Sequence, residues 1–310
     1  MEEKSKILII GATGFLGYNL AETSLKFGHP TFALVRDSAF SDPIKSQKLQ
    51  FLSHAGATLL KGSLQDEASI VDAVKLVDVV ICAVSSKQTL DQKLLIRVIK
   101  QLGTIKRFVP SEFGSDPIKA RVTELDDGYN FYAPKIEIRR LVEAEGIPYT
   151  YISCNFFMKV LLPSLAQPGL EAPPRDKVTI FGDGNTKAVF MKESDVAAFT
   201  ISAVDDPRTL NKVVYLRPPG NVYSLNELVE MWETKIGKKL EKLHVLEEEL
   251  LTKINGTSFP SNSKMLFIYS AFIKGDHTYF DIESSSGVNG TELYPQLKYT
   301  TVSEFLDTLI

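Results

Sequence analysis

The sequence predicts an α/β fold, a doubly wound parallel sheet followed by a smaller α/β domain. Three observations carry that expectation. Short apolar runs alternate with segments of helical period through the first half of the chain, the pattern of strand–helix–strand crossovers. The first run ends in Gly11, Gly14 and Gly17, spaced G-x-x-G-x-x-G. Beyond about residue 155, Pro163, Pro168, Pro173 and Pro174 break the alternation into loops, short strands and capped helices. The expected division is 1–155 and 156–310, with parts of the second portion packing back on the first sheet.

The first strand is the wholly apolar run ending at Ile10, and an amphipathic helix from Tyr18 to Phe27 follows the glycines. Strand, tight turn and helix in that order make a Rossmann-type dinucleotide site. The first glycine permits the sharp turn, and the second lets backbone N–H groups approach a pyrophosphate. The third brings the helix close to the strand, and the helix N-terminus favours the anion. Thr31 to Arg36 is the second strand. An acid at its end suits a ribose hydroxyl, whereas a cation suits a 2′-phosphate. Arg36 stands there, with Lys45 in the next segment, so the cofactor expected is NADPH; Asp37, one place later, argues the other way.

Further strands are expected at Thr58–Gly62, Val77–Ala83, Lys106–Pro110 and Tyr149–Ser153. Helices are expected at Asp66–Lys75, Gln88–Leu102 and around Ile136–Val142. Ligands of such sheets lie beyond the carboxyl ends of the strands, so Gly11, Arg36, Ala83, Ser111 and Asn155 border one crevice. In the second half, Lys177–Phe181 and Val213–Leu216 read as strands, and Gly182–Asn185 as a turn. Asp195–Val204 reads as a helix capped by Ser194, and Ser224–Ile236 as one with a Ser224/Glu227 capping box. Glu247–Ile254, Ser263–Ile273 and Thr301–Ile310 complete the helices.

The 310 residues are 44% hydrophobic and 24% charged with net charge −3, an ordinary globular balance. There is no long basic block, so neither nucleic acid nor an anionic membrane is an expected partner. No apolar run is long enough to span a bilayer. Cys82 and Cys154 lie in apolar runs and read as reduced, buried thiols. Met1-Glu2-Glu3-Lys4 runs straight into the first strand, so a cytoplasmic protein is expected. The sequons at Asn255 and Asn289 read as chance matches.

A dinucleotide-dependent hydride transfer also needs a group that handles a proton. The Tyr-x-x-x-Lys pair common on this fold occurs at Tyr294 and Lys298, but it contains Pro295 and lies near the C-terminus; it reads as a decoy. Tyr132 and Lys135 are three apart and miss the spacing. Lys135 itself starts the helix after Ser111-Glu112-Phe113-Gly114. Either it is a partly desolvated amine at the crevice mouth, suited to proton exchange with a phenol, or it is a surface lysine beside Arg139 and Arg140. The residues alone do not choose. His277 beside Asp276 reads as a surface pair rather than a catalytic dyad. Phe156 and Phe157 either line a flat ring pocket or pack in the core.

Several stretches resemble one family along nearly the whole chain. Gly11-Ala12-Thr13-Gly14, Pro110-Ser111-Glu112-Phe113-Gly114, Arg139-Arg140 and Glu143 to Tyr151 look like the plant isoflavone reductase-like proteins. So do Gly182-Asp183-Gly184-Asn185, Asp205 to Asn211 and Leu293-Tyr294-Pro295. Among them the phenylcoumaran benzylic ether reductases look nearest. The resemblance implies an atypical short-chain dehydrogenase using NADPH on a small phenolic phenylpropanoid, as a monomer or homodimer. It implies that Lys135 is the general acid/base and that Lys45 backs Arg36 at the 2′-phosphate. In the implied mechanism a para-hydroxyphenyl ring loses its phenolic proton and opens a benzylic or allylic C–O bond. The quinone methide then takes a hydride. Expected cofactor contacts are Gly11, Thr13, Gly14, Phe15, Leu16, Gly17, Arg36, Lys45, Gln88, Ser111, Phe113, Lys135, Asn155 and Phe156. Phe157, Met158 and Tyr269 are expected in the substrate pocket. Tyr269 stands where the family usually has histidine. The alternatives are a eugenol or isoeugenol synthase, an isoflavone reductase, or an NADPH-binding protein without turnover.

Overall fold

Strand β1 (Ile7–Ile10) is buried at every residue, as a central parallel strand covered on both faces must be. Helix α1 (Gly17–Lys26) follows and buries Gly17, Leu20, Ala21 and Ser24, the i, i+3, i+4, i+7 stripe of an amphipathic helix. Next come β2 (Thr31–Val35), α2 (Asp37–Ser41), α3 (Pro43–His54), β3 (Thr58–Lys61), α4 (Glu67–Val74), β4 (Val79–Cys82), α5 (Gln92–Leu102), β5 (Arg107–Val109), α6 (Ala133–Ala144) and β6 (Thr150–Ser153). This computed structural model describes residues 3–121, 130–258 and 260–310; the Met1-Glu2 lead-in falls outside them.

The strands form a parallel sheet in the order β3-β2-β1-β4-β5. The chain winds outward from β1 to β3 and then returns to β4 on the other side of β1. The carboxyl ends of β1 and β4 are therefore the point where the winding reverses and a ligand crevice opens. Side chains alternate across the sheet. Ile7 and Ile9 join the core that includes Leu20 and Ala21 of α1, whereas Leu8 and Ile10 join the opposite core with Ile70, Leu95 and Ile138. The doubly wound α/β expectation thus holds.

The second half begins with β7 (Phe156–Phe157), α7 (Met158–Leu161), β8 (Lys177–Phe181), β9 (Lys187–Met191), α8 (Glu193–Ala203), β10 (Lys212–Tyr215), β11 (Val222–Ser224) and α9 (Leu225–Ile236). It ends with β12 (Glu241–Val245), α10 (Glu247–Asn255), α11 (Ser263–Ile268), β13 (Val288–Asn289), α12 (Gly290–Leu293) and α13 (Val302–Asp307). Tyr149, just before β6, makes a single bridge to Phe108 of β5, and β6 pairs in parallel with β10, which pairs with β13. Two strands from beyond residue 155 therefore join β6 in a sheet that continues the first through that one bridge. The others form the small sheets β11-β9-β7 and β12-β8 over a separate core around Trp232, Phe190 and Phe272.

Several boundaries differ from the expected ones. α8 starts at Glu193 with Lys192 at the cap, and Ser194 sits inside its first turn bonded to Asp195. The Ser224/Glu227 capping box is present, and a second one joins Thr301 and Glu304. The 88–102 helix opens as a 3-10 stretch before α5. The 263–273 helix is α-helical only to Ile268, where a π-turn takes over. α3 was not anticipated. Asp42 caps it by accepting from the Ile44 and Lys45 amides, and Pro43 fills its first position, an arrangement the helix start favours. Cys82 and Cys154 are free and buried. No helix among the described residues is long and apolar enough to cross a membrane.

Candidate functional site

The glycine turn is held by its own geometry. Gly11 has φ +92°, and a Cβ there would lie 2.4 Å from the Ala83 carbonyl oxygen. A Cβ on Gly17 would lie 2.0 Å from the Gly11 carbonyl oxygen. The Gly14 amide donates to that same oxygen at 2.8 Å. α1 has no side-chain N-cap, and of its first amides Tyr18 donates back to the Gly14 carbonyl at 3.3 Å; an uncapped helix start behind a glycine turn is the arrangement that receives a phosphate.

A cleft runs from this turn across the ends of β1, β2 and β4. Gly11, Thr13, Gly14, Arg36, Lys45 and Gln88 all line it. Arg36 is exposed at the end of β2. Asp37 lies 3.3 Å from Lys61 and does not line the cleft. Lys45 is paired with Asp42 at 2.8 Å. Lys48, which sequence reasoning passed over, donates to the Thr13 carbonyl at 3.1 Å and ties α3 to the glycine turn. The cleft has a glycine cradle with no room for a Cβ, a bare helix N-terminus and two cations, and these fit a phosphorylated dinucleotide.

On the other side of the turn a second cleft is lined by Phe15, Leu16, Ser111, Phe113, Lys135 and Phe157, among others. The Ser111 hydroxyl donates to the Val84 carbonyl and its amide donates to the Gln92 side chain, both at 2.8 Å. Buried Gln92 thereby latches the loops after β4 and β5, a role its sequence context did not signal. The rings of Phe15 and Phe157 meet edge to face at 5.3 Å.

Beyond Phe157 lies a pocket of about 510 Å³, walled by Phe113, Phe131, Tyr132, Phe156, Phe157 and Phe267. Its polar lining includes Lys135, Ser115 and Asn155. Asn155 holds a left-handed turn at φ +58°, with its amide on the Gly114 carbonyl and its side chain on the Leu216 carbonyl. Lys135 lines both this pocket and the second cleft. It is 9% exposed, and its Nζ donates to the Glu112 and Phe113 carbonyls at 3.0 and 3.4 Å. Burial pulls its pKa below the ordinary lysine value; Glu112 opposes that and Arg139 adds to it. The reading of Lys135 as an ordinary surface lysine is thus excluded.

Not every expected contact lies where it was expected. Met158 is fully buried in the second core. Tyr269 donates to Glu247 at 2.9 Å, with Lys274 over its ring. Neither lines the three cavities, because the π-turn swings Tyr269 toward α10. Phe156 walls the aromatic pocket instead of the cleft beside the glycines. His277 and Asp276 are buried, not a surface pair. They also take different partners. His277 accepts the Val189 amide on Nδ1 and meets Ser115 through Nε2 at 2.8 Å. Asp276 takes Ser270 and Arg121. Burial, with Arg217 nearby, drops the His277 pKa to about 3 and keeps the ring neutral. Tyr294 donates to Asp206 at 2.9 Å, away from the crevice, in keeping with the decoy reading. Ser115, Phe131 and Phe267 were missed, since no local motif marks them.

The NmrA-like family model matches residues 3–306. A probable pinoresinol-lariciresinol reductase of Arabidopsis thaliana is 64% identical over 309 residues, 100% of this chain and 99% of that protein. A phenylcoumaran benzylic ether reductase of Betula pendula is 55% identical over 310 residues, covering 100% of both chains. The solved structure of AtPrR2 with NADP+ and (+)pinoresinol superimposes with a TM-score of 0.93 at 36% identity, covering 100% of both. With fold, glycine turn and full-length similarity in agreement, the chain belongs to the NmrA-like family, among its plant isoflavone reductase-like members.

Proposed function

We propose that this protein reduces a phenylpropanoid-derived aromatic of the benzylic ether type, with Lys135 as general acid/base. The chain is an NADPH-dependent oxidoreductase. When bound, NADPH supplies the hydride. Gly11, Gly14, Gly17 and the first amides of α1 would hold its pyrophosphate, with Arg36 and Lys45 at the 2′-phosphate. The observation that carries the proposal is the position of Lys135, buried and lining both the cleft beside the glycine turn and the aromatic pocket.

The chemistry follows from that position. Two carbonyls fix Nζ, and burial favours the free amine, which can take the proton of a para-hydroxyphenyl group. The phenolate then expels the benzylic oxygen as an oxyanion, which takes from solvent the one proton that the net reduction consumes. The ring becomes a quinone methide, and hydride addition at the benzylic carbon restores a phenolate that recovers its proton from the Lys135 ammonium. The phenylalanines of the pocket wall exclude water from this step and suit a flat ring. In this reading residues 1–155 grip the nucleotide and 156–310 complete the pocket, in a cytoplasmic monomer or homodimer.

Lys135→Met, assayed with a phenylcoumaran lignan, coniferyl acetate and an isoflavone, tests the role. NADPH binding should persist while turnover falls by about 10²–10⁴-fold, the usual contribution of a general acid/base. Turnover near the wild-type rate would refute it. Preference for coniferyl acetate would favour an allylphenol synthase on the same scaffold. The alternative of a binding protein without turnover rests on Tyr269 and on the run from Phe156 to Leu161; Tyr269 bonds Glu247 away from the pocket, whereas Phe156, Phe157 and Val160 line it.

A further inference from the structure

Behind Lys135 lies a buried ion-pair cluster that the proposed reaction does not use. Arg139 stands one helical turn after Lys135 on α6, and both are buried. Its Nε and Nη2 donate to the two carboxylate oxygens of Glu112 at 2.7 and 2.5 Å. Its Nη1 reaches Asp116 at 2.9 Å, and its guanidinium lies 4.5 Å from the Tyr151 ring centroid. Asp116 is further satisfied by the Tyr215 hydroxyl at 2.5 Å and the Ile118 amide at 3.0 Å. Glu112 therefore serves two cations by different atoms. Its main-chain carbonyl holds the lysine, while its side chain is taken up by the arginine.

We propose that Arg139 is a positioning residue that captures the Glu112 carboxylate and so keeps it from holding a proton on Lys135. This inference rests on the reading of Lys135 as the acid/base. Apart from Asp116, which the same arginine holds, the other groups around Lys135 supply no competing charge. The Cys154 thiol is pushed up to about 12 by burial and stays protonated. Burial raises the Tyr132 phenol, and His277, reached through Ser115, is neutral. Glu112 is the charge that acts most strongly on the lysine. Burial raises its own carboxyl, and the guanidinium against both oxygens opposes that. For Arg139, burial is outweighed by the two carboxylates, which hold it charged.

The two halves of the ion pair must then act on Lys135 with opposite signs. Glu112→Gln removes an anion, disfavours the ammonium and should move the acid limb of the kcat profile down by about one pH unit. Arg139→Met releases Glu112 and should move that limb up by a similar amount. The double variant, in which the pair is replaced by uncharged groups, should return it toward the wild-type position. Arg139→Met leaves two buried carboxylates and could fail to fold; Glu112→Gln and the double variant then carry the test. A second readout is the phenolate absorbance of coniferyl alcohol bound to the enzyme with NADP+, whose onset should shift in the same directions. If Glu112→Gln leaves the limb in place, or if both single variants shift it the same way, the pair is merely structural and the inference falls. Should Lys135→Met keep wild-type turnover, the underlying reading fails instead.

Discussion

Gly17→Ala tests the glycine turn most directly. The added Cβ would stand 2.0 Å from the Gly11 carbonyl oxygen, a backbone atom that cannot rotate away. Comfortable non-bonded contact needs roughly 3.3–3.5 Å, so α1 and the turn must part by about 1.4 Å. Overpacking of this kind costs about 1–3 kcal/mol of stability. For a chain of this size that lowers Tm by several degrees, roughly 2–4 °C per kcal/mol. The effect on the cofactor should be larger. The same shift misaims the first amides of α1, and charge-assisted bonds to a phosphate are worth about 1.5–3 kcal/mol each. Loss of one such bond and weakening of another gives an NADPH Kd about 100-fold higher. Fluorescence titration of NADPH and a thermal melt measure the two effects. Gly103→Ala is the control. Gly103 has φ +64° but nothing within 4 Å of its Cβ position, so the change should cost about 1 kcal/mol of stability and leave NADPH binding intact. If Gly17→Ala binds NADPH within about threefold of wild type, the argument from close approach is wrong.

Two further outcomes are expected. Arg36→Ala should weaken NADPH by about 10–100-fold and NADH by little, since only the former carries the 2′-phosphate that a guanidinium would meet; equal losses in parallel titrations would remove that role. His277→Gln should flatten the acid side of the stability profile. In the folded chain His277 stays neutral down to about 3, against 6.5 when unfolded. The unfolded state thus binds the extra proton, and the histidine's contribution is complete above about 6.5 and lost as pH falls toward 3, by at most about 1.4 kcal/mol per pH unit. Glutamine can still accept the Val189 amide and donate to Ser115 without titrating. Thermal melts across that window should show the variant losing less than wild type, and parallel curves would refute the assignment.

The parts of this molecule legible from its sequence are those whose signal is contiguous. The run from Lys6 to Gly17 specifies strand, turn and helix within twelve consecutive residues, because β1 buries both faces and the glycines meet neighbouring backbone. α3 escaped notice for the opposite reason. Only Leu49 and Leu52 are buried along it, too few to impose a helical period. Its start is written instead in Asp42 and Pro43. Asp276 and His277 show how adjacency misleads. They are neighbours in the chain, yet one turns to Arg121 and the other to Ser115 on the loop after β5.

The aromatic pocket lay beyond reach because its walls converge from separate stretches. Ser115 comes from the loop after β5, Phe131 from the approach to α6, Phe157 from β7 and Phe267 from α11. Each is an unremarkable residue in its own segment, and only the register of several sheets brings them together. That separation has a physical consequence. The nucleotide cradle depends on backbone approach within one motif, where a single Cβ is enough to disturb it. The pocket depends on side chains carried by independent elements, and Phe267 lines it without lining either cleft beside the glycine turn. A substitution at Phe267 should therefore change the pocket wall while leaving the glycine turn in place, whereas Phe157, which packs on Phe15, ties the wall to that turn.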